Sequence, residues 1–434
     1  MTVASSTSLR PAESIYFSTT LPPVLAVLNL ADTHLYLRRL GLSPSLASQP
    51  PSLELLSTLL LAHHTHIPYD SSALHVPPGD WTGPSKPIQF RRGRGMELGK
   101  GNFDRIMKGK DVQPDGRKGG MPGQGSYCYG LNQLSASLLR GFGFRVSEIG
   151  ARVFLHRGKD PKESGVWCVC LALATKLSMA QSYPDRWSQT THMALLVDWP
   201  GSEERWFLDV GASSGPFFVR PPCFPCALPA LVGARIKGTR QDLTHARARP
   251  VAGFGGGGSP VPIPFRDGAT APSLSPYESF LLRFEKLPIG DLPTIPDPPA
   301  GFTLYRRVTD TPIRAPELAD SGPGYWTPCI HCTVATVAPE DIVMGDYFNS
   351  THPTAPWANI FIVSVLLAPS GARKTLVHGI PAIDQEAPLH PEGKKLAKLY
   401  TKEAILGREY DVEWVVFETG PIREVLEREF NFAV

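Results

Sequence analysis

The chain has 434 residues, which is more than one hydrophobic core usually supports, so its length predicts two or three packed domains. Hydrophobic residues make up 42% and charged residues 19%, as in ordinary globular proteins, while 44 prolines and 40 glycines indicate many turns and loops. The formal net charge of +3 is small and the basic residues are scattered, so we expect no binding to nucleic acid.

The start of the sequence bears on the compartment. No basic region leads into an apolar run, so a secretory signal is not expected. The longest early apolar stretch, residues 21–31, contains two prolines and is shorter than the roughly 20 residues that span a bilayer. We therefore expect a cytoplasmic protein without a membrane partner, in which seven cysteines, an odd number, do not form a disulfide framework.

The first part of the chain has helical spacing. Leucines recur at helical intervals between about residues 20 and 66. Residues 86–126 are rich in Gly, Lys and Arg and predict a largely exposed loop, in which only residues 103–107 are expected to be ordered. Leucines then return to one helical face between Cys128 and Gly141, which predicts a helix that begins at the cysteine and is capped by Ser126.

Short segments rich in Val, Leu, Trp and Phe follow and predict an antiparallel sheet or barrel. They are residues 145–155, 167–173, 192–199 and 206–210. Residues from about 246 to 300 contain four consecutive glycines and many prolines, and predict a long, poorly ordered connection or insertion. The C-terminal part is predicted to hold a hairpin, a strand and a closing helix, at residues 357–377, 412–417 and 422–430.

Cys128 is a candidate nucleophile because of its position. It follows a glycine-containing loop and lies in the first turn of the predicted helix. The positive end of the helix dipole favours the thiolate there, and the thiolate is the nucleophilic form. A buried structural cysteine is the alternative for any single cysteine.

Residues 191–211 predict a β-hairpin that turns at Pro200-Gly201. In an antiparallel pair the start of one strand lies beside the end of the other, so His192 and Asp209 should be neighbours. A carboxylate beside an imidazole fixes its tautomer and orientation, as a base that serves a thiol requires. The local sequence does not bring Cys128 to this pair.

Several segments, in this order, resemble blocks of the arylamine N-acetyltransferases. Gly125–Cys128 and the helix after it resemble the nucleophile block, and Thr191-His192 and Leu208–Gly211 resemble the histidine and aspartate blocks. Residues 67–70, Ile-Pro-Tyr-Asp, are similar to the family's Ile-Pro-Phe-Glu segment, and residues 357–379 resemble its late hairpin. The similarity is collinear over most of the chain.

The resemblance implies an α+β fold with a cysteine-protease-like triad core. A helical domain carries the cysteine, an antiparallel β-barrel carries the histidine and aspartate, and an α/β lid closes the chain. The expected boundaries are 1–147 for the helical domain, 148–345 for the barrel with its insertion at about 246–300, and 346–434 for the lid.

The resemblance also implies an acyltransferase with a ping-pong reaction. Cys128 would take an acyl group from acetyl- or malonyl-coenzyme A and pass it to an arylamine, hydrazine or arylhydroxylamine, including xenobiotics. His192 would move the proton and Asp209 would orient His192, with no metal and no tightly bound cofactor. Contacts to substrate or coenzyme A are expected from Tyr69, Tyr127, Thr190, Thr191 and Ala212, and active-site support from Asn132.

Three positions of the nucleophile block depart from the family pattern. Gln124 stands where the family has an arginine, Ser126 replaces a glycine, and Gly130 replaces a glutamate. We expect these changes to remove polar contacts from the active-site loop and to leave activity low or altered. The insertion at residues 108–124 and the proline-rich middle are similar to filamentous-fungal members, some of which prefer malonyl groups.

Two other functions stay open at this point. The departures are compatible with a family relative that has lost efficient catalysis and acts as a binding or scaffold protein. The same triad also suits a cysteine hydrolase or an amide-forming enzyme that uses another acyl donor.

Two clusters outside the triad have ordinary interpretations. The pairs Cys223/Cys226 and Cys329/Cys332 match zinc-ligand spacing within each pair, but lie too far apart for a compact zinc ribbon, so isolated thiols are expected. Histidines of residues 63–66 point in different directions on a helix, which predicts a solvated helix end and no metal site.

Overall fold

A computed structural model gives the conformation of most of the chain. The structure describes residues 27–76, 78–90, 98–107, 124–153, 191–211, 259–287, 300–308, 312–313, 325–352, 355, 357–403 and 409–432. Among these residues, no helix combines the length and apolar character that crossing a membrane requires.

The N-terminal part is helical, as its spacing predicts. Its α-helices are α1 (Leu30–Arg39), α2 (Leu53–His66), α3 (Ser72–His75), α4 (Gly99–Met107) and α5 (Cys128–Gly141), with short 3₁₀ helices at Pro44–Ser48 and Pro78–Trp81. Side-chain caps start two of the helices, because Asn29 accepts a hydrogen bond from the Asp32 amide and Ser52 accepts one from the Leu55 amide. A two-residue strand β1 (Tyr69–Asp70) follows α2.

The middle of the chain forms an eight-stranded antiparallel sheet. Its strands are β2 (Arg145–Val153), β3 (His192–Asp198), β4 (Trp206–Leu208), β5 (Ile263–Pro264), β6 (Thr270–Pro272), β7 (Glu278–Lys286), β8 (Ala300–Val308) and β9 (Tyr325–Thr336). The strand order is β5-β4-β3-β2-β9-β8-β7-β6, and the two edge strands approach each other, so the sheet is a nearly closed barrel. This confirms the predicted antiparallel barrel and the mixed α+β class.

The predicted poorly ordered connection at about 246–300 is wrong for residues 259–287, which hold β5, β6 and β7. Apolar side chains of β7, including Phe280 and Leu282, fill the barrel interior. The prolines and glycines of this region lie mostly beside the strands, and the strands gain their stability from pairing with distant segments such as β4 and β8. Residues 246–258 and 288–299, like the strand predicted at 167–173, lie outside the described residues.

The C-terminal part adds a second sheet and further helices. Its elements are α6 (Pro339–Thr351), β10 (Phe361–Leu367), β11 (Ala372–His378), α7 (Pro381–Glu386), β12 (Leu396–Lys402), β13 (Glu409–Val416) and α8 (Thr419–Phe430). Strands β10 and β11 form the predicted late hairpin, with Phe361 opposite His378 and Leu367 opposite Ala372. The sheet runs β1-β10-β11-β12-β13, so β1 from the helical part completes it.

The predicted domain boundaries cut through regular elements. Strand β2 spans the boundary at 147/148, and helix α6 spans the boundary at 345/346. The division into three domains stays a prediction.

Strand β3 lies between the helices and the barrel interior. Met193, Leu195 and Val197 join the largest hydrophobic cluster, to which helices α2 and α5 also contribute. Ala194 and Leu196 face the interior of the barrel. Because alternate residues of one strand pack on both sides, β3 holds the start of α5 close to the mouth of the barrel.

Candidate active site

The predicted nucleophile opens a buried helix. Cys128 is the first residue of α5 and only 3% exposed, and every residue from there to Leu139 is buried. The predicted cap is wrong: Tyr127 is the N-cap and makes no side-chain capping bond, while the Ser126 hydroxyl has no partner among the described residues. The first-turn amides of α5 therefore lack a capping side chain and direct their positive dipole end toward Cys128.

The hairpin of β3 and β4 brings the predicted base and its carboxylate together. Leu195 lies opposite Leu208, and this register places His192 and Asp209 diagonally across the open end of the hairpin. His192 Nε2 lies 2.6 Å from Asp209 Oδ2, and both side chains are buried. The carboxylate occupies one ring nitrogen, which leaves the other for proton exchange with the Cys128 thiol, whose pKa the imidazole lowers.

Asn132 joins the nucleophile helix to this hairpin. One turn into α5, its Nδ2 donates to the Met193 carbonyl at 2.7 Å and to Asp209 Oδ1 at 3.1 Å. Its Oδ1 accepts a hydrogen bond from the Val210 amide at 3.1 Å. All of these groups are buried, so losing one partner would leave the others unsatisfied. This amide provides the link between Cys128 and the hairpin that the local sequence does not supply.

Cys128 and His192 ionise as a coupled pair. Burial raises the pKa of the Cys128 thiol above its ordinary value, and the adjacent His192 offsets only part of that rise. Burial also opposes the imidazolium, but the charges of Asp209 and Cys128 outweigh it and raise the pKa of His192 to about 10. An imidazolium favours a thiolate beside it, so His192 increases the thiolate fraction of the buried Cys128 and can return the proton.

The residues predicted to contact substrate fall into two groups. Tyr69, Tyr127 and Thr191 are buried beside the triad, and the Thr191 carbonyl lies 3.9 Å from Cys128 Sγ. Tyr69 and Tyr127 both pack against the indole of Trp357, with ring centroids 5.3 Å and 6.3 Å from it. Thr190 and Ala212 lie outside the described residues.

A cavity of about 630 Å³ opens beside His192. It lies between strands β2, β3 and β9 on one side and helix α6 on the other. Side chains that line it include Tyr129, His192, Met193, Met344, Tyr347 and Phe348. The lining also includes polar residues such as Asp341 and Thr351, but its accessible surface is mostly apolar, and the cavity meets the triad at His192.

Sequence reasoning missed Asp346 and Asn349, which helix α6 brings to the site. Asn349 Nδ2 donates to the Thr191 carbonyl at 2.7 Å. The Tyr127 hydroxyl donates to the Asp346 carboxylate, and burial raises the pKa of Asp346 to about 7. The available signal was two polar residues three apart on a helix, which place both on one face.

The Asp346→Asn variant is expected to react faster with iodoacetamide at Cys128 above pH 8, by roughly two- to fivefold. An ionised Asp346 raises the pKa of Cys128, and asparagine removes that charge but can still accept from Tyr127. Below pH 6 the Asp346 carboxyl is protonated, so the two proteins should react alike. Exposed Glu340, on the same helix, gives the matched control Glu340→Gln. Equal rates at high pH would contradict the assigned charge.

The histidine cluster in α2 differs from its prediction. His63 and His64 are buried, at 2% and 1% exposure, because α2 packs on more than one side. His63 Nδ1 lies 2.7 Å from the Tyr36 hydroxyl. Burial, assisted by Arg373, lowers the pKa of His64 to about 4. The predicted solvated helix end is therefore wrong for these two residues.

The structure describes one of the two cysteine pairs. Cys329 and Cys332 lie on β9, reduced and buried in the hydrophobic interior of the barrel. Cys223 and Cys226 lie outside the described residues. Within the described ranges, no group of three or more His, Cys, Asp or Glu side chains is arranged to hold a metal ion.

Comparisons with known proteins identify the fold. No family model matches the sequence, and a comparison with curated proteins finds no match. Among solved structures, the arylamine N-acetyltransferase of M. tuberculosis matches with a TM-score of 0.51 at 17% identity, over 92% of this chain and 93% of that one. The arylamine N-acetyltransferase of Salmonella typhimurium matches with a TM-score of 0.50 at 17% identity, over 93% and 91%.

The arylamine N-acetyltransferase of M. smegmatis matches with a TM-score of 0.50 at 18% identity, over 94% of this chain and 93% of that one. At such identities the likeness concerns the backbone architecture alone. The chain therefore has the fold of the arylamine N-acetyltransferases.

Proposed function

We propose that this protein is an arylamine N-acyltransferase that uses acyl-coenzyme A as its donor and Cys128 as its nucleophile. The observation that carries the proposal is the buried arrangement of Cys128, His192 and Asp209 at the N-terminus of α5, in a chain with this fold. A thiol, a base and an orienting carboxylate are the parts that covalent acyl transfer needs.

In the first half-reaction, the Cys128 thiolate attacks the thioester carbonyl of acyl-coenzyme A. A carbon–sulfur bond forms to Cys128, and the carbon–sulfur bond to coenzyme A breaks. The leaving thiolate takes the proton of the His192 imidazolium and departs as free coenzyme A. The products are an acyl-Cys128 thioester and a neutral imidazole, which Asp209 keeps oriented.

In the second half-reaction, an aromatic amine attacks the acyl-Cys128 carbonyl. His192 takes the proton that the amine loses, and Cys128 leaves as a thiolate. The imidazolium and thiolate are thereby restored, and the acyl group has moved from sulfur to nitrogen. The apolar cavity beside His192 supports an aromatic acceptor, because the amine must reach the carbonyl where the imidazole can accept its proton.

The finer parts of the proposal come from the sequence resemblance. They are acetyl or malonyl as the acyl group, hydrazines and hydroxylamines as further acceptors, xenobiotic detoxification as the role, the cytoplasm as the location, and the fungal type of the family. The absence of tightly bound cofactors belongs to the same set of predictions.

The intact mass of the protein after mixing with acetyl- or malonyl-coenzyme A tests the proposal. We expect a gain of one acyl group that is absent in Cys128→Ala and is discharged by 2-aminophenol with formation of the amide. Discharge to water alone would support a cysteine hydrolase instead. A folded protein that forms no adduct with either donor would favour a binding protein that has lost catalysis.

A further inference from the structure

Gly125, three residues before Cys128, is held at both of its backbone polar groups. Its amide donates to Asp70 Oδ2 at 3.0 Å, and its carbonyl accepts a hydrogen bond from Arg105 Nη1 at 2.5 Å. The loop also packs without spare room, because a Cβ added at Gly125 would lie 1.7 Å from the Pro68 carbonyl oxygen. Hydrogen bonds with Asp70 and Arg105 therefore fix the backbone of the loop that leads to Cys128.

Helix α4 supplies Arg105 on one side of the loop and extends this contact to the first turn of α5. Arg105 Nη2 donates to Asn102 Oδ1 at 2.8 Å, and Asn102 Nδ2 donates to the Gly130 carbonyl at 3.0 Å. Arg105 and Asn102 thus contact the backbone on both sides of Cys128. A Cβ at Gly130 would lie 2.2 Å from Ser126 Oγ and 2.9 Å from Asn102 Nδ2, so the glycine makes room for this contact.

Asp70 holds the Gly125 amide on the other side of the loop, and the charge of Arg105 favours its ionised form. The carboxylate is fully buried and also accepts a hydrogen bond from the Ser72 amide at 2.7 Å. Burial raises the pKa of Asp70, and the positive charge of Arg105 lowers it. A buried carboxylate without a nearby cation is costly, so Arg105 also helps Asp70 to hold the Gly125 amide.

These contacts bear on the departures in the nucleophile block. The loop residue that stands where the family has an arginine, Gln124, meets only the Ser72 hydroxyl at 3.4 Å, and its Oε1 has no partner among the described residues. The cation beside the loop comes from helix α4 instead. The loss of polar contacts that the sequence predicts is therefore offset by a residue from another element.

We propose that Arg105 is a positioning residue, which holds the Gly125–Gly130 backbone so that Cys128 faces His192. It does not touch the reacting atoms and acts through the Gly125 carbonyl, Asn102 and Asp70. The proposal rests on the proposed function for its catalytic meaning, but its structural content concerns the loop alone.

The test compares Arg105→Met, which keeps the aliphatic stem, with Arg105→Lys, which keeps the charge and one donor. We expect Arg105→Met to lower the rate of Cys128 alkylation by iodoacetamide about tenfold, since it removes charged hydrogen bonds. We also expect faster hydrogen exchange of the amides in residues 124–130. Arg105→Lys should recover a substantial part of both.

Arg140→Met is the matched control. Arg140 lies in the last turn of α5, the helix that begins at Cys128, where it donates to the Val146 carbonyl and pairs with Glu148 at 2.7 Å. Arg140→Met should lower thermal stability about as much as Arg105→Met does. It should leave the hydrogen exchange of the amides in residues 124–130 and the alkylation of Cys128 unchanged. Equal exchange and alkylation in Arg105→Met and Arg140→Met would overturn the proposal.

The two proposals fail in different ways. If the wild-type protein forms no acyl-Cys128, the proposed function fails, and the exchange of residues 124–130 still decides the role of Arg105. If acyl transfer occurs and Arg105→Met changes neither exchange nor alkylation, only the positioning role fails.

Discussion

The Asp209→Asn variant is expected to transfer acyl groups on the order of 10³- to 10⁴-fold more slowly than the wild-type protein while remaining folded. Asparagine keeps the size of the side chain and can still accept the hydrogen bonds that Asp209 Oδ1 receives from Asn132 Nδ2 and the Gly211 amide. It removes the negative charge that lies 2.6 Å from His192 Nε2. It also presents an amide that can hold the imidazole in the wrong tautomer.

The loss of the charge sets the expected pH dependence. Asp209, together with Cys128, raises the pKa of His192 to about 10. The stabilisation from the pairing of the imidazolium with Asp209 is therefore present in full below the ordinary histidine pKa of about 6.5, and it is lost as the pH rises through about 10. Without Asp209 the pKa of His192 should fall, because burial opposes the imidazolium, so less imidazolium remains at pH 7 to favour the Cys128 thiolate. Alkylation of the variant should therefore rise only toward alkaline pH.

The measurement is the rate of Cys128 alkylation between pH 5 and pH 10, together with single-turnover acylation. Asp198→Asn is the matched control, since Asp198 lies at the other end of β3 and pairs with Arg145 and Arg205 at the surface. It should leave both rates near the wild-type values. An Asp209→Asn variant with the wild-type pH profile would show that Asp209 does not control the ionisation of His192.

The second large effect is expected from Gly211→Ala. A Cβ at this position would lie 2.4 Å from Cys128 Cα, 2.8 Å from Cys128 Cβ and 2.7 Å from Asn132 Nδ2. The start of α5 is buried on all sides, so it has no free space into which to move. We expect a displacement of the nucleophile that lowers acyl transfer about 100-fold, with a loss of about 1–3 kcal/mol of unfolding free energy.

Gly201→Ala separates this clash from a general weakening of the hairpin. Gly201 lies in the turn between β3 and β4 with φ of +88° and open space around it, so alanine there is strained but touches nothing. It should cost about 1 kcal/mol or more of stability and leave Cys128 reactive. If the two variants lose activity in proportion to stability, the close approach of Gly211 to Cys128 has no special role.

Local sequence was sufficient for elements that depend on neighbours along the chain. The periodic leucines after Cys128 predicted α5, and the apolar segments on either side of Pro200-Gly201 predicted a hairpin whose register brings His192 to Asp209. Both patterns reflect short-range geometry, in which side chains three or four apart share a helix face and paired strands meet at their ends.

Predictions from sequence patterns were wrong where contacts with segments far away in the chain decide which residues are buried. The proline-rich region near residue 260 contains strands because β4 and β8 offer edges to pair with. His63 and His64 are buried because α2 is covered on more than one face. Composition does not reveal such partners, since it reflects only the residues of the segment itself.

The sequence by itself determined the start of α5 at Cys128, the hairpin that pairs His192 with Asp209, and the resemblance that suggested joining them. Only the tertiary structure decided how Cys128 meets that pair, through Asn132 and the bare Cα of Gly211. It also decided that Arg105 and Asp346 lie beside the nucleophile. These contacts join segments far apart in sequence, so they arise from the packing of one shared hydrophobic core and not from local conformational preference.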